Sequence, residues 1–433
     1  MGKKRIIVLG AGLAGLSAAW HLQKKGIDCQ VFEKESEVGG LCRSKKIDGF
    51  TFDYSGHLLH FKHDYAFNLI KNLLGNNLVK HKRSAWIYSA GVYTPYPFQA
   101  NLHGLPANIA KECLLGFIDA IKNHKVKDKK ELTFLDWINY TFGSGIARYF
   151  MIPYNTKFWT VAPEELTCEW LDDFIPVPSL REVIEGTIEE SRRQFGYNAH
   201  FWYPKKGGIS EVARALSGQI KHIYTDCEVT EIDLKAKEIR LNSANREKFD
   251  YLISALPLPE FPRLVKDLPS QISPWFKKLR WNSILNFNLG IEKKDCSGKH
   301  WAYFPQEGLS FFRIGFAHNF STFLAPEGRS SLYVEVSYSQ EKLLDKKNVV
   351  ARIMQELKKV GILNQNDKIC VSDLNDIKYG YPIYDKNHNS ARETVIKYLR
   401  QNNIIPCGRY GSWRYMSMEG SILDGRDALN YFR

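Results

Sequence analysis

The chain has little of what ties a protein to a membrane, a disulfide framework or a metal. Its 433 residues hold eight cysteines, Cys29, Cys42, Cys113, Cys168, Cys227, Cys296, Cys370 and Cys407, all isolated and with no Cys-x-x-Cys pair. That scatter predicts reduced thiols in a cytoplasmic protein. No stretch approaches the roughly 20 apolar residues that a helical membrane span needs. There is no Gly-x-Ser-x-Gly elbow and no Walker lysine, so hydrolase and P-loop readings fail. Internal repeats and low-complexity tracts are missing too.

What is present is an ordinary core-forming composition, 44% hydrophobic and 25% charged, with a net charge of +13. The length suggests two or three domains. The densest basic run is Lys122-Asn-His-Lys-Val-Lys-Asp-Lys-Lys130. A nucleic-acid role would need a basic face joined to base-stacking or helix-docking machinery, and no such module occurs. An anionic small substrate or an anionic membrane surface accounts for the excess equally well, and a solvated loop accounts for the run.

The most informative segment is Arg5-Ile-Ile-Val-Leu-Gly10-Ala-Gly12-Leu-Ala-Gly15. Its apolar run predicts a strand that feeds directly into the glycine turn, followed by a helix over Leu13 to Lys25. This is a βαβ opening and not a signal peptide. Gly10 suits the tight turn, Gly12 lets backbone approach a pyrophosphate, and Gly15 lets helix and strand pack closely. Unpaired N–H groups at the helix start face the phosphates. Glu33 ends the second apolar run, at the distance where an acid accepts from a ribose hydroxyl. Gly39, Gly40 and Arg43 add a second phosphate-facing loop, which favours FAD over NAD. The competing reading is a tight turn with no ligand.

Further along, residues 105 to about 195 turn helical. Ile109 to Ile121 carries a period near 3.6, and Thr133-Phe-Leu-Asp136 could open another helix. From Cys227 the pattern alternates, and Tyr251 to Ala255 is a short apolar run. This pair is expected to rejoin the dinucleotide sheet, with Val229 beside the adenine. Ile284 to Gly290 and Ser331 to Ser337 predict an antiparallel sheet. The ending, Gly408 to Tyr415 and then Met418 to Asp427, predicts a strand, a turn and a final helix near Gly420 whose dipole aims at a flavin ring. The fold class expected is α/β: a discontinuous Rossmann-like FAD-binding domain (1–80, 200–260 and 400–433), a helical domain (100–199), and an antiparallel β-sheet substrate domain (81–99 and 261–399).

Several further blocks carry a resemblance: Gly49-Phe-Thr-Phe-Asp53 with Gly56-His57, Pro95-Tyr96-Pro97-Phe98-Gln99, Pro153-Tyr154-Asn155-Thr-Lys157-Phe-Trp159 with Trp170-Leu171, Tyr303-Phe-Pro305, Arg313, Gly380-Tyr381-Pro382 and Gly408-Arg409-Tyr-Gly-Ser-Trp-Arg-Tyr415. In this order the chain resembles the UDP-galactopyranose mutase family, nearest its eukaryotic branch, over nearly its whole length. The resemblance implies a flavoenzyme in which the N5 of reduced FAD is the nucleophile at the anomeric carbon of a nucleotide sugar, interconverting pyranose and furanose forms with no net redox change. It also implies NADPH or NADH as reductant, a role in cell-surface polysaccharide synthesis with peripheral association to glycan-assembly machinery, and an oligomer as one option.

Carried over by position, the resemblance makes Arg313 a clamp on the diphosphate, with Tyr303, Tyr381 and Tyr415 as hydroxyl partners. Tyr96, Gln99, Asn155 and Trp159 would hold the nucleotide, and Asn198 would lie beside the substrate. His57 would sit near flavin N5, and Gly408 and Arg409 would hold the cofactor. For the tyrosines and Trp159 ordinary core packing is the alternative. Arg313, in an apolar strand, wants a partner, and a ligand is the expectation.

Two departures matter. Phe174 stands where that family has a second diphosphate arginine, and Arg181 is a distant substitute. Met418-Glu-Gly-Ser-Ile422 is more similar to amine oxidases and protoporphyrinogen oxidase, so an FAD oxidase or dehydrogenase is the alternative function, and a flavin-binding partner protein without catalysis a third. His57-x-x-His60-x-x-His63 tempts a metal assignment, but on a strand positions three apart face opposite sides, so no metal is expected.

Overall fold

The computed structural model describes residues 4–432 except 124–127, 172–173, 191–192, 194, 197–198 and 243. The strand Ile6–Leu9 is buried along its whole length, as a run of four apolar residues covered on both faces requires. It pairs in parallel with Cys29–Phe32 on one side and Tyr251–Ser254 on the other. Ile223–Tyr224 and Ile404–Pro406 complete a five-stranded parallel sheet. The helix Leu13–Lys24 packs against the helix Met418–Asp427, so the two ends of the chain meet at this sheet.

Two expectations about this part are corrected. Val229–Asp233 does not rejoin the parallel sheet; it forms a separate three-stranded antiparallel sheet with Glu238–Leu241 and Arg246–Lys248. Its alternating pattern is that of a strand with one wet face, which a parallel sheet buried on both sides does not use. Gly408–Gly411 is one helical turn rather than a strand, and the strand is Ile404–Pro406 just before it. Gly408 has φ +78°, and a Cβ there would meet the Ala14 Cβ at 2.4 Å.

The second sheet has seven strands in the order Ile369–Pro382, Trp281–Ile291, Ser330–Tyr338, Arg313–Gly315, Trp301–Tyr303, Ala85–Ser89 and Val92–Pro95. Its pairs are antiparallel except Trp301–Tyr303 with Ala85–Ser89, which run parallel, an arrangement that needs a long connection rather than a hairpin. The apolar face of Trp281–Ile291 (Leu285, Phe287, Leu289 and Ile291) feeds one core cluster. The opposite face carries the buried Asn282, Asn286 and Asn288.

The helices Ala107–Lys122, Phe134–Ile146, Ile152–Trp159 and Leu180–Ile188 form a third layer around an aromatic core. Thr133 and Asp136 make the capping box anticipated for the second of these, with Thr133 Oγ1 accepting from the Asp136 N–H at 3.1 Å. Among the described residues no helix is long and apolar enough to cross a membrane. All eight cysteines are free thiols.

Candidate active site

The glycine turn is built as its spacing demands. Gly10 has φ +89°, a conformation an L side chain rarely adopts, and a Cβ on Gly15 would lie 2.0 Å from the Gly10 carbonyl oxygen. Gly12 precedes the first turn of the helix, and its backbone bridges to Gly39, so the two glycine loops are one surface. Glu33 is buried, with one carboxylate oxygen accepting from the Ala11 N–H at 2.7 Å and the other from the Glu35 N–H at 3.0 Å. Each oxygen retains a lone pair for a ribose hydroxyl.

Gly10, Gly12, Glu33, Gly39, Gly40, Arg43, Val229, Gly408 and Arg409 all line one cleft of about 830 Å3, as does His57. Gly15 lies beneath it, at the helix–strand contact. Arg43 donates through Nε to the Gly40 carbonyl at 2.8 Å and pairs with Glu35 at 3.3 Å, so part of its charge is already compensated. Arg409 donates through Nε and Nη2 to the Met416 carbonyl, at 2.9 and 2.5 Å. Met416, Ser417 and Met418 bring the start of the last helix into the same cleft, and its first turn begins at Met418 rather than Gly420. A cleft of this size, lined by glycine backbone and ended by a helix N-terminus, fits a dinucleotide.

Beside it stands an aromatic cluster. The Tyr303 ring lies 5.5 Å from Tyr96 and 5.4 Å from Tyr154. Tyr381 stacks on Tyr415 at 5.6 Å, with the Arg409 guanidinium 5.2 and 5.3 Å from the two rings. Burial raises the hydroxyl pKa values of Tyr96, Tyr154, Tyr303 and Tyr415, so these groups stay protonated donors; at Tyr303 the Arg313 and Arg83 cations oppose the rise. Burial pushes His57 down to about 4, with Arg409 and Arg313 adding to it against the Ser55 carbonyl and Glu335. His57 is therefore a neutral imidazole at physiological pH.

Arg313, expected from its sequence context to need a partner, has one within the protein. It is directly opposite Glu335 in the strand register and holds that carboxylate in a fork, through Nε and through Nη2 at 2.9 Å. Burial disfavours the Arg313 charge, but Glu335 outweighs it and holds the guanidinium protonated. Ser55 Oγ donates to the same carboxylate. Of the five guanidinium N–H donors, two go to Glu335, leaving three. The signal for Glu335 was present: a charged residue in the Val334-Glu335-Val336 run of a buried strand needs a partner.

The remaining expected residues are placed less openly. Gln99 donates to the Pro176 carbonyl at 2.7 Å, and Asn155 to the Met151 carbonyl of its own helix at 2.7 Å. Trp159 is fully buried, 4.9 Å from the Trp170 ring and 6.4 Å from Tyr415, which makes it part of the aromatic core. Asn198 lies outside the described residues. Phe174 packs edge-on against Tyr415 at 4.6 Å. Arg181 pairs with Glu185 at 2.7 Å on the outer face of its helix with a side chain 82% exposed, so it does not stand in for a cation at position 174.

The segment 57–63 is irregular rather than a strand, so side-chain alternation does not apply to its histidines. They are separated by their partners instead. His57 Nδ1 meets the Ser55 carbonyl at 3.1 Å, His60 Nδ1 meets the His200 carbonyl at 3.1 Å, and His63 occupies the N-cap position of the helix Asp64–Leu74 without a side-chain capping bond.

Asp53 is a further group that sequence reasoning passed over as anything but part of a block. It accepts from Ser44 Oγ and Tyr203 OH, both at 2.6 Å, and from the Ile209 N–H at 3.2 Å. Burial pushes its carboxyl up to about 6 against those hydrogen bonds.

Known proteins bear on this geometry. The family model described as flavin-containing amine oxidoreductase matches residues 13–428. The structure of reduced UDP-galactopyranose mutase superposes with a TM-score of 0.93 and 27% identity, over 99% of this chain and 95% of that one. Putrescine oxidase, solved with putrescine bound, superposes with a TM-score of 0.68 and 16% identity over 99% of both chains, which speaks to the fold alone. A zeta-carotene-forming phytoene desaturase from Myxococcus xanthus is 52% identical over 50 residues, 12% of this chain and 10% of that protein. The matches to the first three curated relatives span only 10%, 58% and 12% of their lengths.

Proposed function

Because the chain belongs to the flavin-containing amine oxidoreductase family, and is a flavoenzyme of that superfamily, we propose that it is an FAD-dependent mutase interconverting the pyranose and furanose forms of a nucleotide sugar. The observation that carries this reading is the likeness to reduced UDP-galactopyranose mutase, at a TM-score of 0.93 and 27% identity over nearly the full length of both chains. FAD, when bound and reduced, supplies the electron-rich N5 that the reaction needs at the anomeric carbon.

The chain's own residues serve the leaving group. Negative charge grows on the diphosphate as the anomeric C–O bond breaks, and donors aimed at that charge lower the barrier. The spare N–H groups of Arg313 and the hydroxyls of Tyr303, Tyr381 and Tyr415 take that role. Since Glu335 offsets the Arg313 charge, Arg313 contributes direction more than net charge. Tyr96 would face the nucleotide end, with the buried Gln99, Asn155 and Trp159 supporting it from behind and Asn198 as a further proposed substrate contact, and neutral His57, on the cleft lining, would sit near a bound flavin without adding charge. NADPH or NADH is the proposed reductant, and the cytoplasm the proposed location. The cofactor unit comprises residues 1–80, 200–260 and 400–433, with 100–199 helical and 81–99 plus 261–399 forming the substrate unit.

The alternative is an FAD oxidase or dehydrogenase. Phe174 favours it, since an apolar ring faces Tyr415 where a second cation would serve a diphosphate. The two readings separate in an anaerobic assay of reduced protein against UDP-, dTDP- and GDP-sugars. The mutase reading predicts interconversion without consumption of reductant, and none with oxidised protein. No conversion and no change in the flavin spectrum across the panel would remove it, whereas stoichiometric oxygen use with an amine or tetrapyrrole would establish the oxidase.

A further inference from the structure

Lys157 lies on the helix Ile152–Trp159 between Asn155 and Trp159, and is 6% exposed. Its ammonium donates to the carbonyls of Phe304 at 2.9 Å and Phe311 at 3.2 Å, and to that of Gln306 at a shorter distance. An ammonium has three hydrogens, so each finds one carbonyl. Among the described residues Lys157 has no ion-pair partner. All three acceptors sit in or at the ends of the loop that joins the strands Trp301–Tyr303 and Arg313–Gly315.

The same loop is pinned at a second point. Glu356, buried on the helix Val349–Lys359, accepts from the Ser310 N–H at 2.7 Å and Ser310 Oγ at 2.9 Å. The loop is thus held between two helices, and its two ends are Tyr303 and Arg313. A buried cation costs desolvation that an apolar side chain of similar size avoids. Its return is direction, since three donors fix three carbonyls where packing alone fixes none.

We propose that Lys157 is a positioning residue that locks the Tyr303–Arg313 hairpin onto the helix bearing Asn155 and Trp159, so that the two sides of the aromatic cluster keep one geometry. Burial pulls its pKa down to about 7, with Lys342 adding to the fall and Glu356 and Glu307 opposing it. The lock therefore loses a donor as pH rises above neutrality.

The test uses the full FAD-loaded chain and the substitutions Lys157→Met and Lys157→Arg. Hydrogen–deuterium exchange without substrate is read on the peptide 301–313, where the Phe304 and Phe312 N–H groups bond to Phe312 and Glu335 carbonyls at 2.9 and 3.0 Å. Lys157→Met should speed exchange there about tenfold, leaving the Ile6–Leu9 strand and the flavin spectrum unchanged. This arm is independent of the proposed reaction. A turnover arm rests on the mutase reading: kcat/KM should fall on the order of 100-fold, as misplaced reacting groups cost. The wild-type loss of turnover above neutral pH should move to higher pH in Lys157→Arg, whose guanidinium stays charged. If wild type converts no nucleotide sugar, the mutase reading fails and the exchange arm still decides the lock. Unchanged exchange at 301–313, or a rise spread evenly over the chain, overturns it. Should Lys157→Met not fold, the wild-type pH series decides: protection at 301–313 should drop about tenfold from pH 6 to pH 9 relative to the Ile6–Leu9 strand, and a constant ratio overturns the proposal.

Discussion

Replacing Glu335 by alanine should unbalance the cleft through a single carboxylate. The Glu335 side chain is 1% exposed and the Arg313 side chain 19%, so solvent does little to screen what is removed. Glu335 accepts from Arg313 twice and from Ser55 once, and the alanine leaves all three donors without that acceptor. Breaking a buried pair by removing one partner costs about 3–5 kcal/mol, because an uncompensated charge stays behind. Glu335→Gln keeps the shape and one carbonyl acceptor, and should cost about 1–2 kcal/mol. Arg313→Met with Glu335→Leu removes both charges together, and should be nearly neutral for folding while abolishing turnover. The assay is denaturant unfolding of the holoprotein followed by flavin fluorescence, in a cycle of Arg313→Ala, Glu335→Ala and the double variant. The cycle should give a coupling of about 2 kcal/mol or more. A cost below about 1 kcal/mol for Glu335→Ala, or strict additivity, would refute the claim that Glu335 rather than solvent or substrate balances Arg313.

Other outcomes follow from the same geometry. Glu33→Ala should weaken FAD binding by roughly 10- to 100-fold, the worth of a charged hydrogen bond to ribose, measured by flavin release on dilution. Gly15→Val should prevent cofactor loading altogether, since its Cβ would stand 2.0 Å from the Gly10 oxygen, and flavin content of purified protein checks it. Asp53, pushed up to about 6 from 3.8, binds its proton more tightly folded than unfolded. Its contribution is fully present below pH 3.8 and declines as pH rises through 6. Relative to Asp53→Asn, wild type should lose roughly 3 kcal/mol across that window, seen as a falling difference in unfolding midpoint. Phe174→Arg should tighten binding of a nucleoside diphosphate to reduced protein at least tenfold if the cleft receives that group, and titration of the flavin spectrum with UDP measures it.

The cofactor half was the more legible part of the sequence. Gly10, Gly12 and Gly15 act through backbone geometry and Glu33 through its carboxylate, all within about 30 residues of one another, and local spacing reports local geometry well. Gly39, Gly40, Gly408 and Arg409 came into the same cleft as well. What stayed hidden depends on pairings between distant segments. Val229 lines the cleft, yet its strand belongs to a small antiparallel sheet, which the alternation of apolar and polar residues did signal. Arg313 was seen to need a partner, but Glu335 is 22 residues away and becomes opposite only through strand register. Lys157 looked like one letter of a helical block because its three acceptors are backbone carbonyls about 150 residues on, and carbonyls leave no mark in a sequence. The Arg181 guess failed for the converse reason: its partner, Glu185, is one helical turn away and keeps it at the surface.

In the mutase reading, reduced protein breaks and remakes the anomeric C–O bond of a nucleotide sugar with no net redox change. Positional isotope exchange tests it most directly. UDP-galactopyranose carrying oxygen-18 in the bond between the anomeric carbon and the phosphate is incubated anaerobically with reduced protein and recovered before equilibrium. The label should scramble into the non-bridging phosphate positions with reduced protein and stay in place with oxidised protein, while the reduced flavin is not consumed. A label that stays fixed in the reduced state, with the flavin instead oxidised stoichiometrically by an added substrate, would contradict it.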